Sequence, residues 1–494
     1  MTPSFLAVDG ADHRVRAVPN PWRVLLVALA LAVLGSLLTP LHASAHAYLT
    51  VSNPRTGQRL DTAPTGLQLL FTQPVALAHS GVQVFTGRFE LVPGAVARVS
   101  PTGTSIAVSL PPLQNGDYAA IWTVISADDG HLTDGTIAFS VGPAPPQGSA
   151  AAARVLGPPS SGTDEQPRDW PGTLASWLVL LGLAVAGGGL AAERALAGPG
   201  ATRSAWRLST RYLTTGMLIA LAGSVLAFAA TAGRLHDGSV LSGFEPGTWG
   251  AAFGVRVGLE NLAGMALVLN ALGALVLLRD RLVCLASVVG AMVLVGMRSH
   301  PAGASAWGEA AIVLHVVVAL TWAGALGYLA TMLWARRGTA RDPELTSALT
   351  RYGRLALLSV LAIVLTGSAA ALTQIGSPGQ LIATTYGRLL ILKVTLVAWT
   401  LLVATVGRWR GLRPGRVDAA AVRDVLRAEV AGVLLVLLST AALANVAPPA
   451  PLAPPSAVAA GGVATVLLLL VGAAMAGAVA VVTLPMLRGQ ARAV

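Results

Sequence analysis

Two patterns of hydrophobic and polar positions divide the chain. Between residues 46 and 142, short stretches alternate between apolar and polar positions, and Gly, Pro, Asn or Asp separates them, which is typical of β-strands joined by turns. After Trp170, uncharged apolar runs of about 20 residues follow one another, each long enough to cross a bilayer as a helix. The pattern predicts an exported all-β domain of the Greek-key β-sandwich class, followed by a polytopic α-helical membrane domain.

The same pattern gives the bounds of the expected elements. The expected strands are 67–71, 81–85, 105–110, 118–124 and 136–141. About nine spans are expected, at 171–193, 212–233, 253–278, 282–298, 308–334, 354–373, 386–407, 428–447 and 459–486. Residues 143–169 are rich in Pro, Gly, Ser and Ala and predict a flexible linker that lets the β domain swing over the membrane. The membrane domain is expected at 170–447, and 448–494 hold an additional span and a short cytoplasmic tail.

The first 45 residues have the pattern of a secretory signal peptide. Basic residues precede an apolar run at 24–38, and Ala43-Ser44-Ala45 fits a signal peptidase site. Cleavage there makes His46 the N-terminus. An uncleaved anchor helix is the alternative, and the long stretch before the basic part is also compatible with a start codon downstream of Met1.

Charge and composition narrow the class of protein. The chain is 54% hydrophobic and 11% charged, so it is too apolar for a soluble globule. Its net charge of +11 comes from arginines clustered in alternate loops, which predicts their orientation toward the cytoplasm rather than nucleic-acid binding. We therefore expect a multi-pass protein of the cytoplasmic membrane whose β domain is extracytoplasmic. The single cysteine, Cys284, lies in a span, which excludes disulfides and thiolate metal sites in a monomer.

The β domain contains candidate metal ligands. The amine and the Nδ1 atom of an N-terminal His46 form a chelate ring, and Asp129 and His131 follow a predicted strand on either side of Gly130. Alone, an Asp-x-His triplet is most often a polar turn. Combined with His46, it predicts a tetragonal N,O site of the kind that Cu(II) prefers. Residues 46–141 contain no methionine, so a thioether Cu(I) site is not expected there.

Several segments of the β domain carry a family resemblance. They are His46-Ala47-Tyr48-Leu49, Ser52-Asn53-Pro54, Leu69-Leu70-Phe71-Thr72-Gln73-Pro74-Val75, Trp122-Thr123-Val124-Ile125-Ser126-Ala127-Asp128-Asp129-Gly130-His131, and Gly135 with Phe139. Together they resemble the CopC copper-binding domain over residues 46–142. The resemblance implies a Cu(II) carrier with ligands from His46, Asp129 and His131. It also places Asp61 as a further acidic candidate near the site.

Polar residues in the spans suggest a route for the metal. His315 lies about two turns into the fifth span, and a histidine in lipid is costly unless it faces a partner or cavity. Trp322 is predicted to share its helical face, and His300 precedes the span. A packed, hydrogen-bonded helix contact is the alternative reading of His315. Arg256 and Glu260 are expected to pair, and Lys393 needs a carboxylate, a carbonyl or a route to water.

The membrane half carries a second resemblance. Its segments are Leu314-His315, Leu320-Thr321-Trp322-Ala323-Gly324-Ala325-Leu326, Arg351-Tyr352-Gly353-Arg354, Leu365-Thr366-Gly367, Thr384-Thr385-Tyr386-Gly387-Arg388-Leu389-Leu390-Ile391-Leu392-Lys393, and Glu429. They resemble the CopD copper-resistance membrane domain over about 210–447.

Both resemblances together imply a copper protein without catalytic residues. It is expected to capture Cu(II) outside the membrane and pass copper to the membrane domain for import and homeostasis. Its partners are copper ions and the lipid bilayer, not nucleic acid. Three other classes stay open: sequestration for resistance without transport, membrane haem and copper electron transfer, and a copper oxidative enzyme. An Asp129 carboxylate among the ligands argues against the enzyme. A Walker-type ATP site is excluded because Lys393 is the only lysine.

Overall fold

The protein consists of a β-sandwich followed by a bundle of long apolar helices. The computed structural model describes residues 47–127, 130, 132–143, 169–196, 210–299, 306–335, 343–375, 377–413, 416–417, 419–446 and 448–449. The expected leader, most of the linker and the expected span 459–486 lie outside the described residues. So do the four candidate residues His46, Asp129, His131 and His300.

Eight strands form the sandwich. They are β1 (Leu49–Asn53), β2 (Gln58–Leu60), β3 (Gly66–Phe71), β4 (Val75–Thr86), β5 (Val96–Val99), β6 (Ser105–Ser109), β7 (Gly116–Ser126) and β8 (Leu132–Val141). One sheet has the order β1-β3-β6-β5 and the other β2-β8-β7-β4, so the chain crosses between sheets five times. All pairs are antiparallel except β2 with β8, which is parallel. The three residues of β2 are too few to show alternation, which is why the sequence did not predict this pair.

Alternating side chains fill the space between the two sheets. In β3, Leu67, Leu69 and Phe71 are buried while the intervening residues face outward, as the period of two requires. The Phe71 and Trp122 rings meet edge to face, with centroids 5.3 Å apart. This continuous apolar core is what allows a domain of this size to fold without disulfides.

The helices agree closely with the expected spans. They are α1 (Trp170–Leu183), α2 (Gly189–Leu196), α3 (Thr210–His236), α4 (Trp249–Phe253), α5 (Arg256–Val276), α6 (Arg281–Met297), α7 (Ala306–Ala335), α8 (Pro343–Gln374), α9 (Pro378–Ala383), α10 (Thr385–Gly411) and α11 (Ala419–Ala444). A π-helical turn, Ala184–Gly188, joins α1 to α2 in one continuous span. Two short strands, β9 (Leu412–Arg413) and β10 (Arg416–Val417), separate α10 from α11.

Seven of these helical segments are long and apolar enough to cross a membrane, and α6 is a shorter apolar helix. Together they account for eight of the nine expected spans among the described residues. Small residues allow close helix contacts. A Cβ atom added to Gly324 of α7 would lie 1.9 Å from the carbonyl oxygen of Ala184, so the π-helical turn packs directly against the backbone of α7.

The β-sandwich rests on one end of the helical bundle. The Tyr48 hydroxyl donates to the carbonyl oxygen of Pro448 at 3.3 Å, and His79 Nδ1 donates to the carbonyl oxygen of His236 at 3.0 Å. Gly130 meets the side chain of Val257 at the start of α5. In the structure the domain is therefore docked, whereas the linker composition predicted a swinging domain. The amino-acid composition of a linker indicates how far it can extend. It does not indicate which contacts the domains on either side of it make.

A carboxylate stands beside the two histidines of this contact. The Ser242 hydroxyl and the Ser239 amide both donate to Asp237, and these hydrogen bonds hold the pKa of its carboxyl below the usual range. Asp237 consequently keeps a negative charge near His79 and His236.

Candidate functional site

The described residues that flank the expected copper ligands meet at one end of the sandwich. Ala47, which follows His46 in the chain, is fully buried, and its carbonyl oxygen accepts from the Thr133 hydroxyl at 3.4 Å. The loop that contains Asp129 and His131 joins β7 to β8, whose last paired residues are Ile125 and Leu132. The fold therefore brings together the segments on which the three ligands are expected.

Gln73 is a polar residue at this end to which the sequence analysis gave no role. Its amide is buried, its Oε1 atom lies 3.5 Å from Ser126 Oγ, and Nε2 has no hydrogen-bond partner among the described residues. The backbone next to it pairs with both flanking segments, because Thr72 and Tyr48 bond to each other and Ala127 donates to Pro74. The sequence offered one signal for Gln73, which is an amide residue between an alternating strand and a proline.

Asp61 lies at the other end of the sandwich. It follows β2, whose Leu60 pairs with Val141 at the end of β8, whereas the ligand loop precedes Leu132 at the start of β8. Ten extended residues separate those ends by about 30 Å. The structure thus does not bring Asp61 to the end where Asp129 and His131 are expected.

His315 lies in the bundle and is held by α8. Its Nδ1 atom is 3.1 Å from the carbonyl oxygen of Ile363 and 3.1 Å from the Thr366 hydroxyl oxygen. Because a carbonyl oxygen only accepts, Nδ1 carries a hydrogen. In the neutral ring Nε2 then keeps its lone pair, the arrangement that imidazole has when it binds a metal.

A cavity of about 370 Å³ connects the end of the bundle beneath the β-sandwich to His315. Gly130 and Leu132 of the sandwich line it near the bundle end, and apolar side chains line most of its wall. Its polar residues include Asp169, Ser176, Arg234, Asn261, Arg298, His315, Tyr386, Lys393 and Asn445. Trp322 is buried in the core of the bundle and is not among the residues that line the cavity.

Ion pairs involve two of the arginines that line this cavity, Arg234 and Arg298. Arg234 of α3 pairs with Asp169, which also caps the start of α1. Glu260 accepts from Arg256 at 2.7 Å, as expected, and Arg298 adds a second contact at 3.2 Å that the sequence did not predict. Within the described part of the chain, three or more His, Cys, Asp or Glu side chains nowhere cluster as a metal site.

Two family profiles match the chain. Residues 49–142 match the CopC domain, and residues 346–443 match Copper resistance protein D. The second match begins in α8, so it is shorter than the 210–447 expected from the sequence and leaves His315 outside it.

Individual relatives match over lengths little greater than that of the β domain. The copper transport protein CutJ of Bacillus subtilis (strain 168) is 30% identical over 125 residues, which are 25% of this chain and 22% of CutJ. Protein YobA of Escherichia coli (strain K12) is 32% identical over 117 residues, 23% of this chain and 91% of YobA. This chain thus aligns with about a fifth of CutJ's length.

Among solved structures, the crystal structure of CopC from Methylosinus trichosporium OB3b matches at 23% identity with a TM-score of 0.18. The match covers 21% of this chain and 100% of that chain.

A two-sheet β domain on a bundle of apolar spans defines a multi-pass membrane protein with an appended β-sandwich. The profile matches specify the family. The chain belongs to the CopC and CopD copper-resistance proteins, with both domains in one polypeptide.

Proposed function

We propose that this protein captures Cu(II) outside the cytoplasmic membrane and passes copper into its membrane domain for import. His46, Asp129 and His131 are the proposed ligands in the β domain. One observation carries the proposal: Gly130, the residue between Asp129 and His131, lines the same cavity as His315. Copper released from that loop would enter the bundle without crossing lipid or bulk water.

The position of the β domain favours an extracytoplasmic site. The sandwich contacts the bundle at His236, Val257 and Pro448, which belong to the ends of spans. Arg279, which lies between α5 and α6, and Arg281, the first residue of α6, stand at the opposite end. Because arginine-rich loops stay in the cytoplasm, the β domain faces outward.

Within the cavity, His315 is the proposed receiving ligand. Its Nδ1 hydrogen bond fixes the ring, so that Nε2 is available as an imidazole donor to copper. His300, which precedes α7 in the chain, is proposed to lie on the approach. The route does not include Trp322, because that residue is packed in the bundle core.

Copper accumulation tests this proposal. We expect copper-limited cells that express the protein to accumulate several-fold more copper, measured by elemental analysis, than cells without it. His315→Ala should return accumulation to the background, and His131→Ala should do the same. Ile312→Ala is the matched control because Ile312 lines the same cavity one turn away, and it should keep accumulation.

Each other result has a defined meaning. Wild-type accumulation equal to the background would contradict import and favour sequestration. Accumulation unchanged in His315→Ala would contradict the route. Haem absorption bands in the purified protein would favour electron transfer instead.

A further inference from the structure

The cavity that contains His315 is lined by more cations than anions. Arg234, Arg298 and Lys393 face Asp169, the one carboxylate among its described lining residues. Arg234 is paired with Asp169, and Arg298 with Glu260 and Asn261. Of the three lining cations, Lys393 is therefore the one that has no carboxylate partner among the described residues.

Lys393 stands deep on the wall of the cavity. It lies eight residues into α10, about 12 Å from the start of that helix. Tyr386 lines the cavity two turns before it, and Leu390, Val394 and Val397 line it on the same face. Among the described residues, the Lys393 ammonium has no hydrogen-bond or ion-pair partner. An ammonium without a partner in an apolar wall is unfavourable, so the site favours a bound counter-ion.

The cavity wall also contains further hydrogen-bond donors. Arg234 Nε is buried without a partner in the described part of the chain, and Tyr386 contributes a hydroxyl. The lone pair of His315 Nε2 is an available acceptor. Copper bound to that atom would add positive charge to a space that already holds Lys393, and like charges in a medium of low dielectric repel strongly.

We propose that Lys393 is an anion-binding site, which takes a small monovalent anion such as chloride or a carboxylate. The bound anion offsets the charge of Lys393 and allows copper to occupy His315 beside it, so that copper and anion enter the cavity together. The pairing with copper rests on the proposed function, whereas anion binding at Lys393 does not.

Thermal unfolding of the purified full-length protein tests the anion site. Ionic strength is held constant with methanesulfonate, which is replaced stepwise by chloride in one series and by acetate in another. We expect the unfolding midpoint to rise with the logarithm of the concentration of the anion that binds. The two series distinguish a halide site from a carboxylate site.

Variants assign the effect to one side chain. Lys393→Met should remove the rise, and Arg388→Met should keep it, because Arg388 is an exposed cation on the same helix. Lys393→Arg should shift the preference toward acetate, since a guanidinium binds a carboxylate through two hydrogen bonds. This variant provides the test if Lys393→Met does not fold.

The outcomes separate the two proposals. A midpoint that does not depend on either anion, or the same dependence in Lys393→Met, would overturn the anion site. His315→Ala should keep the anion response while losing copper accumulation. If wild-type cells accumulate no copper although the anion response is intact, the import proposal fails and the anion site stands.

Discussion

Gly367 determines where the His315 imidazole can lie. A Cβ atom at Gly367 would come within 2.8 Å of His315 Cε1 and 3.2 Å of Nδ1, closer than side-chain atoms pack. The glycine thus leaves the space in which the ring reaches Ile363 and Thr366. The lack of a side chain at Gly367 and the hydrogen bond from Nδ1 therefore both determine the position of the proposed copper ligand.

Gly367→Ala should therefore impair copper transfer without removing His315. The added methyl group forces the ring to move, and the hydrogen bond that Nδ1 donates, worth about 1 kcal/mol, is weakened or lost. We expect copper accumulation to fall most of the way to the His315→Ala level at equal abundance in the membrane. Gly264→Ala is the control, because its Cβ would contact only Leu294, at 3.8 Å. Normal accumulation in Gly367→Ala would show that the ring position does not matter.

Single residues were predictable from the sequence where burial in lipid is itself the signal. His315 could be recognised as a candidate because a histidine in an apolar span demands a partner. Gly367 and Gln73 could not, because their importance depends on residues about 50 positions away in the chain. Asp61 was a candidate because of its acidic side chain. That property gave no information on which end of the sandwich the residue occupies.

At the scale of elements, apolar patterns predicted the helices within a few residues, as in 212–233 for the observed Thr210–His236. The helix ends extend beyond the apolar runs because polar residues at a membrane surface still continue a helix. The π-helical turn was not predictable. Gly187 and Gly188 allow this turn to pack closely against α6 and α7. The hydropathy of the span contains no information about that contact.

The contact between this turn and α7 gives a stability prediction. Gly324→Ala would place a methyl group 1.9 Å from the Ala184 carbonyl oxygen, so the two backbones must separate. We expect destabilisation of about 1–3 kcal/mol, as for other overpacked sites, and a lower midpoint in thermal unfolding of the detergent-solubilised protein.

Gly327→Ala, one turn further along α7, is the matched control. Its Cβ would meet only the Tyr212 hydroxyl at 3.7 Å, an ordinary contact, and alanine favours the helix by about 1 kcal/mol. Its midpoint should equal or exceed that of the wild type. Equal midpoints for the Gly324 and Gly327 variants would contradict close packing of the turn on α7.

At the scale of the whole molecule, the docked position of the β-sandwich can be trapped by a disulfide. A Cβ atom at Gly238 would lie 4.0 Å from the Cβ atom of His79, within the usual range of 3.5–4.5 Å between disulfide-bonded cysteines. In a Cys284→Ala background, His79→Cys with Gly238→Cys should therefore crosslink on oxidation. A protease site placed in the linker provides the readout, because the cleaved fragments stay together only on a non-reducing gel.

The control pair is Phe89→Cys with Gly238→Cys. Phe89 follows β4, whose end at Thr86 pairs with Tyr118, whereas the docked end of that strand pairs with Ser126. It should not crosslink to the bundle. A freely swinging domain, as the linker composition predicted, would crosslink both pairs to a similar extent.

If only the His79 pair crosslinks and the trapped protein still raises cellular copper, the docked arrangement is the one in which copper passes from the loop at Gly130 into the cavity. If trapping abolishes accumulation and reduction restores it, the domain must leave the bundle during each transfer, and the shared cavity then describes only one stage of the cycle.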